Sequence, residues 1–209
     1  GQDKHLSNQI RHFDRLAPRP DTCPRWDARL VFDALTRPPF EPMDSTETPL
    51  RFVLWKALFL LAFASSKRVS ELHALMFAPI QWLKNQSTRK IDGVILSFNP
   101  DFIAKRQKES VVDEIYQKLH IPAIHTMVDT RNLLDESFLC PVRALRIYLD
   151  RTAILRGNKK RLLISVEKSS LHDIRTSTIS GWLRRCIAFV YENSDLDIRS
   201  EVHRAKGHD

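Results

Sequence analysis

Ala62-Phe63-Ala64-Ser65-Ser66-Lys67-Arg68-Val69-Ser70-Glu71-Leu72-His73-Ala74-Leu75 is the stretch where the chain passes from a hydrophobic interior to a charged corner. It closes an apolar run that starts at Leu50 and is broken only by Arg51 and Lys56. A helix apolar on all sides belongs in a core. The run is shorter than the about 20 residues that cross a bilayer, so it is predicted as a buried central helix. Two serines, Lys67 and Arg68 then precede a second helical segment with Glu71 in its first turn. A charge at the end of a buried helix is costly unless it reaches water at a helix–helix corner or meets an anion.

Composition favours the anion. The chain has 209 residues, 33 Lys and Arg against 25 Asp and Glu, and a net charge of +8. Nucleic acid is the leading partner class for such a balance, with acidic membrane surfaces second. The length fits one good-sized domain, or a domain with a piece of another. Cys23, Cys140 and Cys186 are odd in number and far apart, which reads as reduced thiols in the cytosol or nucleus. The opening residues are polar and do not read as a signal peptide.

Outward from the central helix, Leu6, Ile10, Phe13 and Leu16 recur at helical spacing, and Ala17-Pro18-Arg19-Pro20 stops them. Residues 1–17 are therefore expected to be the tail of an upstream helical unit, 18–25 a linker, and 26–209 the main domain. Trp26 to Leu35 predicts a helix, and Asp44-Ser45-Thr46-Glu47-Thr48 offers caps for the central one. The helix from Val69 is expected to run to about Met76 and to end near Pro79.

Gly93 to Phe98 reads as a strand, Asn99-Pro100-Asp101 as a turn, and Phe102 to Lys105 as the returning strand of a hairpin. Leu119 to Ile124 fits an edge strand, where Pro122 is tolerated. Cys140-Pro141 opens a helix that Gly157-Asn158 closes, and Ser177-Thr178 leads into an amphipathic helix with Trp182, Cys186 and Tyr191 on its apolar face. The expected fold class is mainly α with a small antiparallel β-sheet, α+β.

The eight histidines show no ligand spacing, and neither an acidic triad nor a phosphate-binding loop is present, so no metal or cofactor is expected. Phosphoryl transfer without a metal needs cations around the phosphate, an acid for the leaving oxygen and a nucleophile. Arg68 can donate two parallel hydrogen bonds to a phosphate, a geometry lysine lacks. Glu71, one turn on, either orients Arg68 or complements the helix terminus. Lys105 has Arg106 and Lys108 beside it: either like charges make its proton easier to give up, or the group is a basic hairpin that touches the DNA backbone.

Arg68-Val69-Ser70-Glu71-Leu72 after an apolar helix, a lysine at 105, the helix around Ile179-Ser180-Gly181-Trp182-Leu183, and a terminal Lys206-Gly207-His208-Asp209 occur in an order that resembles the tyrosine recombinases. Pro24-Arg25-Trp26-Asp27 and Phe102-x-x-Lys105 resemble the recombinases of eukaryotic mobile elements of the DIRS, Ngaro and Crypton kind. The resemblance implies a catalytic domain that cleaves and rejoins DNA through a 3′-phosphotyrosine, with residues 1–17 ending a DNA-clamping domain.

By the same resemblance Arg68 stabilises the phosphate, Lys105 protonates the 5′-oxygen and His208 assists proton transfer, with Glu71 in support. Lys67, Arg106, Lys108 and Arg184 are expected on the DNA backbone. Double-stranded DNA, a homotetramer on that DNA and a nuclear location follow from the family. The pattern departs from it in one respect. Tyr116, Tyr148 and Tyr191 all precede His208, none matches the nucleophile's motif, and the second arginine would fall two residues past Asp209. Two readings stay open: a recombinase domain lacking its nucleophile, or a DNA-binding protein that kept the fold without the chemistry.

Overall fold

The computed structural model describes residues 26–102, 118–126, 137–166 and 173–194. The expected tail (1–17) and linker (18–25) lie outside them. The described chain is a mixture of helices and one small antiparallel sheet: α1 (Ala28–Leu35), α2 (Leu50–Ser65), α3 (Val69–Ala74), β1 (Leu75–Lys84), β2 (Ile91–Phe98), β3 (Lys118–Pro122), α4 (Pro141–Arg156) and α5 (Thr176–Glu192). A single 3-10 turn, Ile124–Thr126, follows β3.

The predicted central helix is α2. Every residue from Phe52 to Leu61 except Trp55 is buried, and the helix packs against both α4 and α5. Burying one large aliphatic or aromatic side chain contributes about 1.5–3 kcal/mol, so this element dominates the core. None of the polar residues from 44 to 48 caps it. Pro49 stands at its start, while Ser45 and Thr48 bond within the preceding loop. Arg151 of α4 pins that loop instead, donating to the carbonyls of Met43, Ser45 and Thr48.

Lys56 does not interrupt α2; it organises what surrounds it. Its ammonium is fully buried and donates to the Leu35 carbonyl at the end of α1 and to Glu41 Oε1. Arg143 of α4 grips the same carboxylate through both oxygens, at 2.7 and 3.2 Å, and the Met43 amide donates to it at 2.9 Å. Burial alone would raise the Glu41 pKa, but the hydrogen bonds from Arg143 and Lys56 outweigh it and hold the group below its usual value. Burial pushes the Lys56 ammonium down to about 8 despite its partner.

The sheet has the order β1-β2-β3 with β2 in the centre. Here the structure corrects two expectations. The segment after Ala74 is a ten-residue strand through Pro79 to Lys84, not the end of a helix. Proline is accommodated because β1 bulges between Leu75, opposite Phe98, and Ile80, opposite Leu96. The bulged part finds other partners: the Phe77 amide donates to the Lys160 carbonyl, and Met76 bridges to Arg161.

The second correction concerns the hairpin. Asn99-Pro100-Asp101 is a turn, closed by the Phe102 amide on the Asn99 carbonyl, but Phe102 joins no strand. β2 pairs with β1 and β3 on its two sides, and residues 103–105 of the expected return strand lie outside the described residues. β3 is the expected edge strand. Gly93 is required where β3 crosses, since a Cβ there would lie 2.9 Å from the Ile121 carbonyl oxygen.

The buried lysine gives stability a pH dependence. The unfolded group keeps its proton up to about 10.5 and the folded one loses it near 8. Between those values the unfolded chain binds more protons, so stability rises with pH. Cys186 works the other way above pH 9, because burial raises its folded thiol to about 12. The unfolding free energy by urea titration should therefore climb by about 1 kcal/mol between pH 8 and 9 relative to a Lys56→Met variant. Parallel curves for the two proteins would contradict the assignment.

Candidate phosphate-binding corner

The corner is built where α2 must stop. Ser66 adopts the left-handed conformation, φ 51°, and its amide closes on the Ala62 carbonyl at 2.9 Å. That reversal ends the helix within one residue. The Ser65 hydroxyl accepts the Lys67 amide, and the chain then extends through Arg68, which starts α3. Val69 and Leu72 are buried and anchor the short helix to the core.

Glu71 sets the geometry of the two basic residues. Its Oε2 accepts the Arg68 backbone N–H at 3.0 Å, and its Oε1 pairs with the Lys67 ammonium at 3.0 Å. Only the glutamate half of a capping box is possible, because a guanidinium cannot accept a hydrogen bond. The carboxylate thus holds the main chain of Arg68 and leaves its guanidinium alone. That half-buried side chain meets neither carboxylate nor carbonyl among the described residues.

Lys67, expected on DNA, is engaged by Glu71 and rests 5.8 Å from the centre of the Phe98 ring. The ion pair is partly solvated, and such pairs contribute less than about 1 kcal/mol, so it can be exchanged for a stronger anion. Phe98 ends β2 and packs 6.1 Å from Phe102. The corner therefore lies beside the end of the sheet from which the β2–β3 connection departs.

Of the other expected site residues, Arg184 is exposed on α5, and no described carboxylate pairs with it. Lys105, Arg106, Lys108 and His208 lie outside the described residues. The tyrosines can be placed. Tyr148 is fully buried and its hydroxyl accepts the Ile164 amide, while Tyr191 is buried with its hydroxyl on the Asp27 amide. Both are held as core residues. Tyr116 lies outside the described residues.

One contributor was missed in the sequence. A ring nitrogen of His73 lies 2.7 Å from the Ile174 carbonyl and ties α3 to the approach of α5. Its partner is 101 residues away, so no local pattern announces it. Among the described residues no three His, Cys, Asp or Glu side chains converge on a point, and no helix is long and apolar enough to cross a membrane. No family model matches the chain, nor does any curated protein or solved structure.

If Glu71 clamps this corner, Glu71→Ala should lower stability by about 0.5–2 kcal/mol, the range for a lost helix cap. Glu71→Gln keeps an acceptor for the Arg68 amide and should lose less than half of that. Urea unfolding of both variants decides it, and an unchanged Glu71→Ala protein would exclude the clamp.

Proposed function

We propose that this chain is a tyrosine-recombinase catalytic domain without a tyrosine that matches the nucleophile's motif, from a protein that cleaves and rejoins DNA strands through a 3′-phosphotyrosine intermediate. The observation that carries the reading is Arg68: a guanidinium without a protein partner among the described residues, on a backbone clamped by Glu71, at the exit of a buried helix. A preorganised donor of that kind is what a phosphate gathering charge in its transition state requires. Its two parallel N–H groups suit the non-bridging oxygens.

The order of elements gives further support. An arginine corner leads directly into a three-stranded antiparallel sheet, and Lys105 follows Phe102 by three residues, a reach of about 10 Å at full extension. In this reading Lys105 protonates the leaving 5′-oxygen, His208 assists proton transfer, and Arg106, Lys108, Lys67 and Arg184 contact the DNA backbone. The phosphotyrosyl link conserves the energy of the broken bond, so neither metal nor nucleotide is consumed. A tetramer on duplex DNA, acting in the nucleus on a mobile element, completes the proposal.

The second reading, a DNA-binding relative without cleavage, is favoured by one observation. Tyr148 and Tyr191 are buried with engaged hydroxyls, so neither can attack a phosphate in this fold. The nucleophile would be a tyrosine that these two do not supply.

Both readings require duplex binding, and one residue separates them. Arg68→Ala should weaken duplex affinity severalfold and reduce the slope of log K against log salt by about 0.9, the signature of one lost phosphate contact. In the full-length protein the same change should lower the yield of covalent protein–DNA adduct on nicked suicide substrates by about 100-fold or more. Adduct formation unaffected by Arg68→Ala would refute the role of Arg68. No adduct from the unaltered full-length protein would leave the binding relative.

A further inference from the structure

At the opposite end of the sheet, a cleft of about 570 Å³ opens between the β1–β2 turn and the start of α4. One lip carries Lys84, Arg89 and Lys90; the other carries Arg143 and Arg146, which share a helix face at i, i+3. Between them lies an apolar floor made by Ile91, Ala123, Ile124 and Val142.

The positive charge there is largely unanswered. Glu41 is shared between Arg143 and the buried Lys56, and Asp92 pairs with His125 at 3.0 Å and accepts from Asn85. Lys84, Arg89, Lys90 and Arg146 are exposed and pair with no carboxylate among the described residues. The turn that presents three of them is held firmly. Asn85 Oδ1 accepts the amides of Ser87 and Thr88, both at 2.9 Å, and Arg89 stands in the left-handed region at φ 56°.

We propose that this cleft binds a short single-stranded stretch of nucleic acid, separately from the Arg68 corner. Charge on both lips suits a strand whose successive phosphates meet opposite walls, and the aliphatic floor offers the faces of unpaired bases a surface away from water. A duplex keeps its bases stacked between two backbones, so it could meet the lips but could not lay bases on the floor of a cleft of about 570 Å³. An acidic peptide fits the charge, but it would lay backbone N–H groups over apolar side chains without partners.

The test is fluorescence anisotropy on the 209-residue chain with a labelled 12-mer of thymidine and a 12-base-pair duplex. Arg89→Asn/Lys90→Gln keeps a residue tolerant of positive φ at 89 and should leave the thermal melt unchanged. It should weaken single-strand binding about tenfold or more and lower its salt slope by about 1.4, two contacts at 0.7 each. Duplex affinity should change by less than threefold. Arg68→Ala should give the reverse pattern, so failure of one site is distinguishable from failure of the other. Arg146→Gln, on the facing lip, should repeat the single-strand loss. The proposal is overturned by unchanged single-strand affinity in these variants, or by equal losses for the duplex.

Discussion

The Glu41 carboxylate is the point on which the described structure depends. It receives the buried Lys56 ammonium from α2, both guanidinium arms of Arg143 from α4 and the Met43 amide from the loop between α1 and α2. Lys56 in turn holds the last carbonyl of α1. Three helices and a loop are thereby fixed in register around one anion. Taking a lysine out of water costs several kcal/mol, and the cost is offset only when the partner geometry is good on every side. Breaking one partner leaves a buried charge, so the group acts as an all-or-none lock on how α2 sits.

That lock matters at the other end of the same helix. α2 is rigid because it is buried, and Ser66 turns the chain sharply just past its last residue. Arg68 therefore stands at a position set by the core and not by a mobile loop. Glu71 completes the arrangement by taking the amide of Arg68 and the ammonium of Lys67, which leaves the guanidinium as the group available to a ligand. A site built this way spends little of a ligand's binding energy on ordering the protein.

The elements legible in the sequence were those whose signal is local. Leu50 to Ser65 is apolar on every side, the Pro141 and Gly157 boundaries frame α4, and the stripe through Trp182 and Cys186 marks α5. β1 was not legible because its identity comes from distant partners. Pro79 reads as a helix stop, yet the bulge that tolerates it is stabilised by residues 160–162, some 80 positions on. Local turn chemistry at Asn99-Pro100-Asp101 was sound, but a turn does not say which strand pairs with β2. Lys56 looked like an interruption of an apolar run, and its partners at 41 and 143 carry no shared pattern. The Arg68 corner was legible as a motif; that Glu71 grips its backbone and not its guanidinium was not.

The central claim is that Arg68 is a phosphate ligand, and a crystal structure of the protein with a short DNA duplex tests it most directly. The account predicts one backbone phosphate with its non-bridging oxygens within about 3 Å of the Arg68 guanidinium nitrogens, and Glu71 still on the Arg68 amide. A complex in which the DNA contacts other faces while Arg68 points to solvent, or is turned onto a protein carboxylate, would contradict it.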